Sequence, residues 1–372
     1  MKIYLKGYDY NDTLSTDFPM NAFQIQDTLD RLGGSTKVRF TISQFENMNL
    51  PQELCRKEFT ADIYALNLFA DRFEKMDSAQ NAAFISLLKC HHESSFDEML
   101  EMTFGLDSVP VLPCKNYREL GEIAIENELL PELESCPEEL LELLDREKIG
   151  QIMCERDGGI FVQGYYCVPS AYEPPDIEIS IEKPERCFFR LLAAPTEQQA
   201  EWVTLPCERE KLFQLYDMNC CDFQSALPKI EFHDMHQIGA LNELAEELLR
   251  LSLGDFVKLK AVMEAENITE ISETIDCIKR LPQYDFHRNI CDESDFGREY
   301  LMRNLPTDFQ ISALEDVDFF DFGLKITQLS GSAVTSYGAV SGRGQPLYSV
   351  LMVQPAEEEC ETEELEIGGM SL

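Results

Sequence analysis

The chain has 372 residues, of which 44% are hydrophobic, so it is long enough for two or three domains with buried cores, and disorder throughout is excluded. Its 69 acidic and 31 basic residues give a formal net charge of -38. A surface with this charge repels nucleic acid and anionic membranes and attracts proteins with basic grooves. Because the sequence has neither a signal-peptide pattern nor an apolar run of about 18 residues, we expect a cytoplasmic protein whose 13 cysteines are reduced.

The first part of the chain is predicted to contain three pieces. Residues 1–60 pass through β-like, helical and β-like segments (MKIYLKGY, FQIQDTLDRLG and VRFTISQF), a pattern typical of a small α/β sheet with one helix. Residues 61–115 are predicted to be helical, because apolar residues recur at helical spacing and Asp77 can cap a second helix. In residues 116–172, an acidic helical region leads to the D-x4-G motif Asp145–Gly150 and then to the β-like GGIFVQGYYCV.

The second part follows a proline-marked linker, residues 173–186. Residues 187–236 form another predicted α/β part, with CFFRLLAA and ALPKIEF as strands around the helical EREKLFQLYDM. Residues 237–290 are predicted to be helical, and residues 291–355 repeat the α+β pattern, with DFFDFG and then SGSAVTSYGAV. The final stretch, 356–372, holds about seven glutamates and no base, and solubility alone is an adequate explanation for such a tail.

Four segments of the first part recur in the second part in the same order. Residues 65–88 align without a gap to residues 240–263, and SSFDEML matches TEISETI. Leu120-Gly121 stands opposite Phe296-Gly297, and DREKIG stands opposite DFFDFG. One pair of amphipathic helices could match by chance, but ordered anchors at nearly one offset favour a duplication. The predicted fold is therefore α+β, with two tandem copies that each contain a small α/β sheet part, a helical bundle part and a C-terminal α+β part.

The densest acidic region of the folded part is a candidate partner-binding surface. On a helix, carboxylates four residues apart lie on one face about 6 Å apart, so they can imitate a row of phosphates. An ordinary solvated face of an acidic protein would have the same composition. The candidate carboxylates are Glu119, Glu122, Glu126, Glu128, Glu132, Glu134, Glu138, Glu139, Glu142, Asp145 and Glu147.

No group of residues predicts catalysis, a metal site or a cofactor. Cys90, His91 and His92 form a cluster, with Cys114 further on, but they lack paired C-x2-C spacing. His233 and His236 are interpreted as loop residues, and the adjacent Cys220 and Cys221 do not form a C-x-x-C motif. The segment SGRGQP lacks the lysine of a phosphate-binding loop, and the lone tryptophan is expected in the core.

The order of these segments resembles the ArdA antirestriction proteins of mobile genetic elements. The likeness covers roughly residues 60–170: the helical hairpin beginning at ALN, the acidic RELGEIAIENELLPELESCPEELLELLDREKIG, and the strand pair GGIFVQGYY. It implies that the D-x4-G motif at Asp145–Gly150 is a turn. The second copy keeps the spacing in QISALEDVDFFDFG, but its preceding helix FGREYLMRNL has lost its acids. The chain also differs from the family in being about two units long.

The resemblance implies a DNA mimic that occupies the DNA groove of a type I restriction-modification enzyme and inhibits it. It implies no cofactor and no nucleic-acid or membrane partner. The two halves would act as a pseudo-dimer within one chain, or the chain would form a homodimer. The alternative is an acidic interaction or scaffold protein of a mobile element with another basic partner, and an enzyme with an unrecognised site is a third possibility.

Overall fold

The computed structural model describes residues 1–7, 13–43, 52–55, 57–91, 94–134, 136–181, 183–184, 186–195, 200–306 and 317–344. Within these ranges the protein is α+β, with helices packed on small antiparallel sheets, as the sequence predicts. The predicted acidic tail, His92 and most of the segment QISALEDV lie outside the described residues. Among the described helices, none has the length and apolar character needed to cross a membrane.

The chain begins with a four-stranded antiparallel sheet in the order β2-β1-β3-β4. Strands β1 and β3 carry the alternation that the sequence predicts, and Ile3, Leu5 and Val38 are fully buried on the core face. Helix α1 packs on this face and starts with a capping box between Asn21 and Gln24. The elements are β1 (Lys2–Gly7), β2 (Thr13–Asp17), α1 (Ala22–Arg31), β3 (Lys37–Ile42), α2 (Gln52–Cys55) and β4 (Phe59–Asp62).

The predicted helical hairpin follows the sheet and shares its core. Asp77 accepts a hydrogen bond from the backbone N–H of Gln80, so it caps the second helix as expected. Ser95 caps the third helix in the same way. The helices are α3 (Ile63–Lys75), α4 (Ser78–Cys90) and α5 (Phe96–Met102).

The last piece of the first half joins several helices to a three-stranded sheet in the order β5-β7-β6. The expected D-x4-G turn at Asp145 is wrong. Asp145 accepts hydrogen bonds from the N–H groups of Glu147 and Lys148, so it is the N-cap of a helix, and Gly150 lies inside that helix. The elements are β5 (Val111–Leu112), α6 (Tyr117–Glu126), α7 (Pro131–Glu134), α8 (Glu138–Leu141), α9 (Arg146–Asp157), β6 (Ile160–Val162) and β7 (Tyr165–Cys167).

The second half opens with a three-stranded sheet in the order β10-β8-β9. The strand predicted at ALPKIEF is misplaced, because the strand ends at Ser225. There the Ser225 hydroxyl bonds to the backbone of Leu227, and Pro228 has no N–H to continue a ladder. Trp202 is also not in the core: its residue surface is 39% exposed, and the Arg190 guanidinium lies over its ring. The elements are β8 (Phe189–Ala194), β9 (Glu201–Leu205), α10 (Arg209–Leu215) and β10 (Asn219–Ser225).

The rest of the second half contains a predicted helical hairpin, capped by Ser252, and a three-stranded sheet in the order β11-β13-β12. Asp318 begins the last helix as Asp145 begins α9, since it accepts hydrogen bonds from the N–H groups of Phe320 and Asp321. The elements are α11 (Ile238–Arg250), α12 (Leu253–Glu266), α13 (Ile271–Arg280), β11 (Phe286–His287), α14 (Glu293–Asn304), α15 (Phe319–Ser330), β12 (Ala333–Thr335) and β13 (Gly338–Val340).

Candidate partner-binding surface

The candidate acidic surface is built on two helices, α6 and α9, whose backbones touch. A Cβ atom on Gly121 would overlap the carbonyl oxygen of Arg146 and lie 2.7 Å from its carbonyl carbon. A Cβ atom on Gly150 would overlap the carbonyl oxygen of Tyr117 and lie 3.0 Å from the nitrogen of Gly121. The two glycines therefore allow an approach that no other residue permits, and they fix how the acidic side chains of the two helices lie relative to each other.

The eleven predicted carboxylates do not lie on one continuous helix. Glu119, Glu122 and Glu126 lie on α6, and Glu147 lies in the first turn of α9. Between these helices, Glu132 and Glu134 belong to α7, and Glu138 and Glu139 belong to α8. The exposed members of the set, among those whose side chains the structure describes, are Glu126, Glu128, Glu132, Glu142, Asp145 and Glu147.

Two of the predicted carboxylates have local structural roles. Glu119 is half-buried and accepts hydrogen bonds from the backbone N–H of Lys115 at 2.8 Å and from the side-chain amide of Asn116 at 3.1 Å. Asp145 caps α9. Their oxygens hold the ends of α6 and α9, so less of their charge is available to a partner.

The other acids whose side chains the structure describes are weakly neutralised. Glu122 lies 3.7 Å from Arg118 and 3.8 Å from Arg146, distances typical of loose surface ion pairs. Glu126, Glu142 and Glu147 form no ion pair with any basic residue that the structure describes. The contact between Arg146 and Glu122 also places the first turn of α9 beside α6. Glu122 is therefore flanked by two arginines where the helices touch, and the unpaired negative charge includes that of Glu126, Glu142 and Glu147.

The second half contains a helix pair with the same backbone contact and a different surface. A Cβ atom on Gly297 would lie 2.6 Å from the carbonyl oxygen of Phe319, and one on Gly323 would overlap the carbonyl oxygen of Glu293. When the two helix pairs are aligned on these glycines, Glu122 corresponds to Arg298, Glu126 to Met302 and Glu147 to Phe320. Met302 and Phe320 are about half exposed, at 50% and 49%. Glu122, Glu126 and Glu147 thus have no acidic counterparts on α14 and α15, whereas Glu119 stands opposite Asp295.

The clusters considered for metal or redox chemistry are separated in space or exposed. Cys114 is buried in the core below α6, whereas Cys90 is exposed at the end of α4. Cys220 and Cys221 are consecutive residues of β10, and the described cysteines all carry free thiols. The one group of potential metal ligands among the described residues is a surface set that the sequence did not suggest, formed by Glu231, His233 and Glu270.

Burial divides the cysteines into reactive and unreactive groups. Desolvation raises the pKa of Cys114, Cys167 and Cys277 to about 11, so almost no thiolate forms there at pH 8. We expect iodoacetamide at pH 8 to alkylate the exposed Cys90 and Cys221 first, and the three buried thiols at least tenfold more slowly, as measured by mass spectrometry of the digest. Denatured protein, in which all five should react at similar rates, is the control; equal rates in the native protein would contradict the burial.

Sequence reasoning missed a charged contact between the two halves. Lys260 of α12 bonds to Asp27 and Asp30 of α1. A signal for it was present, because Lys260 stands between Leu259 and Ala261 on the buried side of an apolar helix, where an unpaired charge is costly. The partners could not be read from the sequence, since they lie more than 200 positions earlier.

Comparison with known protein-family models gives no match to the chain, and comparison with curated proteins gives none either. The function of the acidic surface must therefore be argued from its own residues. Three features bear on it: the large net negative charge, the exposure of carboxylates on α6 to α9, and the absence of acids from the positions of α14 and α15 that match Glu122, Glu126 and Glu147.

Proposed function

We propose that the protein is an antirestriction DNA mimic, which binds the DNA groove of a type I restriction-modification enzyme and inhibits that enzyme. The observation that carries the proposal is the cluster of exposed and weakly paired carboxylates on α6 to α9, in a chain with a net charge of -38. Duplex DNA presents about one negative charge per 1.7 Å of its axis, and basic grooves bind it largely through that charge. Carboxylates held on a rigid helix pair can compete for the same groove.

The backbone contact between α6 and α9 gives this charge a fixed geometry. Glu122 and Glu126 are four residues apart, about 6 Å along one face of α6. The glycine contact sets Glu147 on the neighbouring helix. A rigid array loses little conformational freedom when it binds, whereas the same acids on a flexible tail would have to be ordered first.

We also infer that the two halves arose by duplication. The sheet order β2-β1-β3 of the first half matches β9-β8-β10 of the second, and β5-β7-β6 matches β11-β13-β12. The glycine contacts recur in both halves, and the Asp145 and Asp318 caps each lie five residues before the glycine of the second helix, Gly150 and Gly323. On this account the two halves form a pseudo-dimer in one chain, and the first half supplies most of the charge that faces the partner.

Binding to a purified type I enzyme tests the proposal directly. Affinity should fall steeply as the salt concentration rises, because the contacts are between charges that salt screens. In cells with an active type I system, expression should raise the efficiency with which unmodified phage DNA establishes itself. A protein with the same fold and no effect on restriction would instead be an acidic scaffold protein with another basic partner.

A further inference from the structure

The two halves meet at a buried lysine. Lys260 lies on α12 in the second half, and its residue surface is 2% exposed. Its ammonium nitrogen lies 2.9 Å from Oδ1 of Asp27 and 2.8 Å from Oδ2 of Asp30, both on α1 of the first half. A buried ammonium group is stable only when it is paired, so α12 needs α1 at this position.

Asp27 is held from two further directions. The hydroxyl of Tyr337 donates a hydrogen bond to Oδ1 of Asp27 at 2.7 Å, from the turn between β12 and β13. Burial raises the pKa of Tyr337, so this hydroxyl keeps its proton and remains a donor. The guanidinium of Arg31 lies 2.9 Å from Oδ2 of Asp27 and above the Tyr337 ring. The carboxylate therefore has one orientation.

A second arginine and an apolar side chain extend the contact. Arg288, which follows β11, donates a hydrogen bond to the carbonyl oxygen of Asp30 at 2.9 Å. On the same face of α1, one turn before Asp27, Phe23 is 5% exposed and belongs to the hydrophobic core of the second half. Helix α1 is thus held by its own sheet on one face and by the second half on another.

We infer that Lys260 is a positioning residue that holds the two halves at one relative orientation, so that they meet the partner as a single rigid body. This inference rests on the proposed function. A buried charged network contributes less to stability than to the choice of one arrangement, because any displacement leaves a charge unpaired. A binder whose halves are already oriented avoids the cost of ordering them on binding.

The test compares Lys260→Met with Lys258→Met, a half-exposed lysine on the same helix. Both changes remove one positive charge, so the overall charge cannot distinguish the variants. We expect Lys260→Met to increase the radius of gyration measured by small-angle X-ray scattering and to weaken binding to the type I enzyme at least tenfold. Lys258→Met should change neither value. Wild-type scattering and affinity in Lys260→Met would overturn the inference.

A second variant covers the case in which Lys260→Met does not fold, because Asp30 would then be buried without its counter-charge and Asp27 would keep only Arg31. The triple variant Asp27→Asn, Asp30→Asn, Lys260→Met removes the buried lysine together with both carboxylates, and it should fold because the Arg31 side chain, 31% exposed, keeps access to solvent. It should still have the larger radius of gyration and the weaker binding. If it behaves like the wild type, the inference fails. If the wild type does not bind the enzyme, the proposed function fails, and scattering alone then decides the role of Lys260.

Discussion

Gly121→Ala is expected to unfold the unit formed by α6 and α9. The added methyl group would overlap the carbonyl oxygen of Arg146, and a backbone atom cannot rotate away as a side-chain end can. The helices must separate, which exposes the core around Leu120 and Ala124 and costs about 3 kcal/mol or more. Urea unfolding followed by circular dichroism measures the loss, and hydrogen exchange should locate it in residues 117–157.

Gly254→Ala is the matched control. Gly254 lies in α12, and the nearest atom to a Cβ at that position is the hydroxyl oxygen of Ser252 at 3.9 Å. Alanine there removes the flexibility of glycine from a helix, so stability should be unchanged or rise by up to about 1 kcal/mol. Gly323→Ala should resemble Gly121→Ala instead, since its Cβ would overlap the carbonyl oxygen of Glu293. Equal effects at Gly121 and Gly254 would exclude the close backbone contact.

The helices of this fold could be predicted because their signals are local. The apolar spacing of the hairpins and the caps at Asp77 and Ser252 act within a few residues, and the structure has them where the sequence indicates. The D-x4-G motif was misinterpreted because an aspartate before a turn and an aspartate before a helix look alike in sequence. What distinguishes them is the packing of Gly150 against Tyr117, which lies 33 positions earlier and gives no local signal.

The acidic surface was predictable in composition and not in arrangement. Eleven acids between Glu119 and Glu147 are evident from the sequence. That Glu119 and Asp145 hold helix ends depends on which N–H groups their oxygens reach. The contact of Lys260 with Asp27 and Asp30 was equally hidden, because it depends on how two distant segments pack.

Removing charge from α6 to α9 should have the largest effect on inhibition. We expect the quadruple variant Glu126→Gln, Glu132→Gln, Glu142→Gln, Glu147→Gln to bind the type I enzyme on the order of 100-fold more weakly, since each close charge pair across an interface couples strongly. Its affinity should also depend less on salt, because fewer charges meet the partner. Stability should be almost unchanged, as exposed carboxylates without ion pairs contribute little to it.

The matched control removes the same number of charges from exposed glutamates of the second half, Glu208, Glu210, Glu243 and Glu273. Both variants change the net charge from -38 to about -34, so long-range attraction to a basic groove is reduced equally. Only the first variant removes charge at the proposed contact. If both lose affinity to the same extent, the protein is recognised through its overall charge, and the helix pair is not the mimic surface. If only the first loses affinity, the acids of α6 to α9 act at the interface. The second half then contributes less because apolar and basic residues occupy the matching positions of α14 and α15.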